Sequence, residues 1–172
     1  MKTIHEAIAD MNPGERFSKP WNSGGWKFAT YGGIAVMSPT TDPNTKGNFP
    51  PVETVILKAD ECVSEPITMP TTLPELKHPI KCRECDGEGG LDCNECGQEI
   101  QCSECKSSGY SDKGNLGEKF ELFDGYYYGL KYVHLLVEFG ANVFPEIGEW
   151  ENTKRLRFVV GDCVGTLLGM TN

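Results

Sequence analysis

Residues 81–106 read KCRECDGEGGLDCNECGQEIQCSECK. Six of the chain's eight cysteines fall in this stretch, as three Cys-x-x-Cys pairs: Cys82/Cys85, Cys93/Cys96 and Cys102/Cys105. Two thiolates three positions apart grip one side of a zinc ion, and a second pair completes a tetrahedron. Gly87, Gly89 and Gly90 follow the first pair, where a missing Cβ lets backbone N–H groups turn toward sulfur. A disulfide framework is the competing reading, but repeated Cys-x-x-Cys without an export signal favours metal. A thioredoxin-like redox pair needs a βαβ setting that this stretch lacks. Six thiolates exceed one four-coordinate site. The first assignment is Cys82, Cys85, Cys102 and Cys105 around one Zn2+. The tip pair, Cys93 and Cys96, either takes a second ion with Asp92 or Glu99 or stays free. Pairing Cys93/Cys96 with Cys102/Cys105 is the alternative.

The stretch resembles the cysteine-rich zinc module of DnaJ-type chaperones. Cys82-Arg-Glu-Cys85-Asp-Gly87-Glu-Gly89 matches the CxxCxGxG repeat of that family in full. Cys102-Ser-Glu-Cys105-Lys-Ser-Ser-Gly109 matches with Ser107 in place of the first glycine, and Cys93-Asn-Glu-Cys96-Gly97 is a degenerate copy. The family has four repeats and two zincs, so its two sites do not carry over one to one. No His-Pro-Asp triplet occurs; His78-Pro79-Ile80 lacks the aspartate. The resemblance thus implies the zinc module without the chaperone's ATPase-stimulating part.

The 172 residues suffice for one ordinary domain and a small insert. A net charge of −9 disfavours a broad electrostatic grip on nucleic acid. The first residues, MKTIHEAIADMNPG, contain no apolar signal core, and no run of apolar residues is long enough to span a bilayer. Paired thiols without an export signal place the expected setting in a reducing cytoplasm. Cys62 and Cys163 stand alone and read as ordinary thiols.

Thr3 and Glu6 form a capping box for a helix over 3–11, with Ile4, Ala7, Ile8 and Met11 on its apolar face. His5 falls off that face and reads as a solvated side chain. Residues 26–31 and 33–37 predict two strands about Gly32-Gly33, with Trp21, Trp26, Phe28 and Tyr31 as sheet and core aromatics. A loop over 38–51, a strand over 52–58 and a proline-rich tether over 59–80 follow. Residues 107–117 read as a second flexible arm. A strand over 118–123, a helix over 125–139 capped by Asp124 and closed by Gly140, a loop over 144–152, and a terminal hairpin about Gly161-Asp162 complete the chain. The Tyr126–Tyr128 run straddles the expected helix start and reads as packing.

Each end therefore repeats a helix, a basic-aromatic strand, a glycine turn and an apolar strand. The expected fold is α+β: two helix-plus-antiparallel-sheet halves, residues 1–75 and 111–172, interrupted by a zinc hairpin module over 76–110. Phe28-Ala-Thr-Tyr31-Gly-Gly-Ile-Ala-Val resembles the aromatic-x-Thr-Asp-Gly strand turn of the DNA polymerase sliding clamp, with Tyr31 replacing the aspartate. Tyr132–Val137 followed by Arg155-Leu-Arg-Phe resembles the second half of a clamp domain. In that family helices present Lys and Arg to DNA, whereas these helices offer Lys2, Glu6 and Asp10, and Lys131, His134 and Glu138. A clamp-like domain joined to a DnaJ-like module is similar to proteins of phages and mobile elements, which implies a phage or prophage source.

An enzyme is not expected. No phosphate loop, nucleophile motif or HExxH is present, and His5, His78 and His134 lie in no recognisable catalytic setting. Zinc held by four cysteines has no open position for water. The expected function is binding: a clamp-like scaffold with a zinc arm that contacts a protein partner. The segment 81–106 sets three cations against seven carboxylates, net −4, which suits a basic partner and repels a duplex. DNA association through Lys154, Arg155 and Arg157, or mimicry of DNA toward a host protein, are the alternatives; for the basic patch itself, an edge strand protected by charge is the bland reading. Self-association is open.

Overall fold

The computed structural model describes residues 2–11, 18–47, 49, 56, 65–92, 96, 98–145 and 155–170. Its backbone divides into two compact units, one made of 1–73 and 119–172, the other of 74–118.

The larger unit is mixed α+β with a six-stranded antiparallel sheet. Helix α1, Ile4–Ala9, precedes β1 (Trp21–Ser23), β2 (Trp26–Tyr31) and β3 (Ile34–Pro39). After the smaller unit come the hairpin β8 (Lys119–Phe123) and β9 (Tyr126–Gly129), helix α2 (Leu130–Glu138), and β10 (Asn142–Pro145), β11 (Arg155–Val160) and β12 (Cys163–Leu168). The sheet order is β1-β2-β3-β12-β11-β10. Each half is thus a helix followed by a three-strand meander, and the halves join through their last strands, Ile34–Met37 against Val164–Leu167.

Both faces of the central strands are covered, which is why Ile34, Ala35, Val36 and Met37 are all buried. On one face Ala29, Ile34, Val36, Leu156, Phe158 and Leu167 pack with Ile4 and Ile8 of α1, Val133 and Leu136 of α2, and Tyr128 of β9. The other face holds Trp21, Phe28, Ala35 and Met37 with Ile56, and Trp21 stacks on Phe28 and Phe49 at 5.7 and 5.2 Å. The aromatic run of the first half is therefore core. The outer edges are met by other segments: the Thr45 amide donates to Asn22 O, the Asn22 amide to Thr45 Oγ1, and the Ile67 amide to Val143 O.

The capping box of α1 forms as the sequence predicts, the Thr3 hydroxyl accepting from the Glu6 amide and the Glu6 side chain from the Thr3 amide. Three expectations change. Asp124 does not cap a helix: Asp124 and Gly125 both have positive φ, 47° and 77°, and turn the β8–β9 hairpin, the backbone sign pattern that Asp-Gly favours in two-residue hairpin loops. The tyrosine run is accordingly a strand, and the helix starts at Leu130 with Gly129 as N-cap. Edge strand β10, Asn142–Pro145, takes in Phe144 and Pro145, the first residues of the expected loop. The strand expected over 52–58 lies outside the described residues except for Ile56, which is helical and buried.

His5 is the third correction. It is 3% exposed rather than solvated, since α1 packs across β2 and β3 and the buried stripe takes in His5 and Ala9 beside Ile4 and Ile8. Its Nε2–H donates to Lys27 O at 3.1 Å, a bond the neutral ring can make. Burial pushes its pKa down to about 4; the bond to the Lys27 carbonyl opposes this and the Lys27 charge adds to it. Unfolded His5 takes a proton near pH 6.5, so between that pH and about 4 the unfolded chain binds more protons. Stability therefore falls as pH falls through this window, by up to about 3 kcal/mol in total. Urea midpoints read at pH 7 and pH 5 by tryptophan fluorescence should differ accordingly, and His5→Gln should shrink the difference.

Candidate metal centre

The smaller unit has little apolar material. Its four short strands are β4 (Ile80–Lys81) paired with β7 (Tyr110–Asp112), and β5 (Gly90–Asp92) paired with β6 (Glu99–Gln101). Its centre is sulfur: Cys82, Cys85, Cys102 and Cys105 are buried together, with Leu91 packed against them.

Two knuckles of like sequence build this centre by reciprocal bonds. The Cys82 amide donates to Gly109 O at 2.9 Å, and the Cys102 amide to Gly89 O at 3.1 Å. Within each knuckle the Glu88 amide returns to Cys85 O, and the Ser108 amide to Cys105 O. The Gly89 N–H reaches Cys85 Sγ at 3.2 Å. Gly89 and Gly109 have φ of 81° and 75°, and a Cβ on Gly89 would stand 2.6 Å from Ser107 O. Glycine is required there by both conformation and the close approach of the opposite knuckle. Ser107, where the repeat would have glycine, holds φ of 64°, a left-handed conformation that costs a non-glycine residue about 1–2 kcal/mol.

The four sulfurs lie within 4.8 Å of one another. A tetrahedron with zinc–sulfur bonds of about 2.3 Å has edges of about 3.8 Å. Cys82 and Cys102 Sγ are 3.8 Å apart, and Cys85 and Cys105 Sγ 3.7 Å. The donor set fits one Zn2+ in both chemistry and spacing. The thiols also titrate unevenly. Burial opposes the Cys105 thiolate, but the Gly109 amide and the neighbouring thiols outweigh it and bring it down to about 7. For Cys102 the Cys105 amide favours the thiolate, while burial and the thiols of Cys105 and Cys82 push it up to about 11. Four crowded sulfurs share protons in this way because they cannot all carry charge unless a cation replaces the protons.

The pairing that the structure assembles is the first one read from the sequence. Cys96 is exposed and stands outside the cluster, and Cys93 lies outside the described residues. Among the described residues this is the one group with metal-site geometry; a second site at the tip would need Cys93, which lies outside them, and Asp92 and Glu99 are exposed. They line a cleft of about 490 Å³ with Glu84, Asp86 and Glu88 beside the first knuckle.

The arms of the unit are fastened rather than loose. Asn115, which carries no motif and was not singled out from the sequence, is buried. Its Oδ1 accepts from the Lys77 amide at 2.7 Å, its Nδ2 donates to Glu75 O at 2.9 Å, and its own amide donates to Lys77 O at 2.9 Å. With β4–β7 this clasps the incoming arm to the outgoing one.

Of the expected nucleic-acid patch, one residue is buried and one is half-buried. Arg155 is 7% exposed, and the Arg157 guanidinium sits 5.5 Å from the Phe144 ring centre. Lys154 lies outside the described residues. Nor is β11 a charged edge strand, because β10 and β12 flank it. Of the three histidines, His5 is buried and His78 exposed, and neither is part of the sulfur cluster.

Compared with family models, curated proteins and solved structures, the chain matches none.

Ser107→Gly should relieve the knuckle strain and tighten Co2+ binding by about 1 kcal/mol, roughly fivefold. Gly89→Ala should act in the opposite direction and more strongly, since it forces a Cβ against Ser107 O. Titration of the thiolate–cobalt absorption band measures both.

Proposed function

We propose that this chain is a non-enzymatic zinc protein that contacts a basic protein surface through the acidic side of its cysteine unit. The observation that carries the reading is the cleft beside the first knuckle, lined by Glu84, Asp86, Glu88, Asp92 and Glu99. All five carboxylates are exposed, so their field reaches an approaching partner. A zinc bound by four thiolates adds a formal −2 next to them. Long-range attraction of this kind sets association rate and register, and weakens with salt. The metal is structural in this reading, because four sulfurs leave no position for water. Similarity of the two knuckles to the DnaJ-type module supports a structural zinc unit without the chaperone's ATPase-stimulating part. Reduced thiolates suit a reducing compartment, the cytoplasm of a bacterial or phage-infected cell. Among the described residues no helix is long and apolar enough to cross a membrane.

A second reading, a clamp-like protein associated with DNA in replication or repair, is favoured by the duplicated helix-plus-meander halves. It draws no support from Arg155, which is buried, or from the sheet edges, which other segments meet. A DNA-mimicking version of the acidic face is the third form, and it too predicts a basic protein as partner.

Lys- and Arg-rich peptides should bind at low salt and be released as salt rises. Neutralising Glu84, Glu88 and Glu99 together to Gln should weaken that binding by about 1–2 kcal/mol, given ~0.2–1 kcal/mol for each exposed charge pair. Parallel titrations with duplex and single-stranded DNA should show little binding. Tight DNA binding lost on replacing 81–106 by a short Gly/Ser linker would reverse the assignment.

A further inference from the structure

The smaller unit interrupts the larger one: residues 74–118 lie between the two chain segments that make the sheet. The two meanders cannot join into one sheet until that interruption is bridged, because β3 must pair with β12 across it. An unstructured bridge of about 45 residues carries a loop-closure cost that grows with the logarithm of its length, so the closure equilibrium constant falls as the 3/2 power of length. Inside the folded unit the bridge is much shorter. The Asn115 side chain binds Lys77 N and Glu75 O, and the Asn115 amide binds Lys77 O, so the chain is short-circuited there. What remains flexible is at most the few residues between Leu73 and Lys77 and between Asn115 and Lys119, about ten in all.

The clasp in turn depends on the cysteine centre. Among the described residues the unit's fully buried hydrophobic side chains are the four cysteines, with Leu91 partly buried against them, and units this small fold on metal rather than on a core. The knuckles meet through two backbone bonds, Cys82 N–H to Gly109 O and Cys102 N–H to Gly89 O, and through the sulfurs themselves. Without metal the unit has little to hold Lys77 against Asn115.

We propose that zinc occupancy sets the stability of the sheet unit through chain topology alone: the metal closes the interruption, and the sheet is stabilised although it supplies no ligand. The inference rests on the zinc centre proposed above. The ratio of effective bridge lengths, about 45 to about ten, predicts a roughly tenfold change in the unfolding equilibrium constant of the sheet unit between metal-loaded and metal-free protein. By reciprocity a folded sheet tightens metal binding by the same factor. The chain would then register zinc supply, or oxidation of its thiols, as a change in the stability of a domain that holds no metal.

The three tryptophans, Trp21, Trp26 and Trp150, all lie outside 74–118, so their fluorescence reports the sheet unit. Urea unfolding of the full chain is measured with Zn2+ and with a chelator, while Co2+ substitution reads occupancy separately from its thiolate band. A second chain carries about 20 extra Gly/Ser residues between Gly117 and Glu118, which raises the bridge to about 65 residues without metal and about 30 with it. The expected metal effect on the tryptophan transition is about tenfold in the parent and about threefold in the extended chain, with none in Cys85→Ser. Metal bound with no tryptophan shift, or with an equal shift in both chains, overturns the topological coupling and leaves the zinc centre standing. Failure to bind cobalt or zinc under reducing conditions overturns the zinc centre, and this inference with it.

Discussion

The antiparallel pairing of Ile34–Met37 with Val164–Leu167 is the constraint on which the sheet unit depends. It joins segments about 130 positions apart, so its closure entropy is large and its contacts must be good. They are good because both faces of the seam are buried. Val36 and Leu167 pack under the two helices, while Ala35 and Met37 pack under Trp21 and Phe28. Tyr132 of α2 ties the halves again by donating to Tyr31 O at 3.3 Å, and the Lys131 ammonium sits 4.4 Å from the centre of the Tyr31 ring. Two equivalent halves joined at one seam leave the middle of the chain free to carry a separate unit.

That separate unit solves a different problem. It cannot be held by an apolar core, so it folds around four sulfurs whose spacing matches one tetrahedral ion. The reciprocal knuckle bonds mean that each Cys-x-x-Cys is oriented by the other half: Gly109 O fixes Cys82, and Gly89 O fixes Cys102. A fault in one knuckle is therefore felt at all four ligands. The acidic side chains stand outside this frame, on the first knuckle and the adjacent β5–β6 hairpin. Exposed negative charge and metal-site geometry are thus carried by different, interleaved residues of the same short stretch.

Charge is handled oppositely in the two units. The cysteine unit exposes its carboxylates. The sheet unit buries Arg155, and it buries His5 in a neutral form with its ring N–H on the Lys27 carbonyl. One arginine of the expected basic patch is thus buried in the sheet, while the acidic residues of 81–106 line a cleft. Net charge along a segment is a poor guide to what a partner meets unless the burial of each group is known.

The sequence by itself determined what depends on short range. The capping box at Thr3 and Glu6, the strand patterns in 26–37 and 155–168, and the Cys-x-x-Cys spacing that marks a metal knuckle are local patterns; which two of the three pairs meet was left to the tertiary structure. Asp124-Gly125 was equally local evidence for a hairpin, but the capping preference of Asp competed with it, and pairing with β8 decided the matter. Only the tertiary structure decided the rest, because those outcomes depend on what packs against a residue from far along the chain. His5 is buried because α1 lies across β2 and β3, Arg155 because β11 has neighbours on both sides, and Asn115 closes the cysteine unit because Glu75 and Lys77 return beside it. Polar side chains carry no periodic signature for such roles. Their place is set by distant backbone groups, which a reading along the chain cannot bring together.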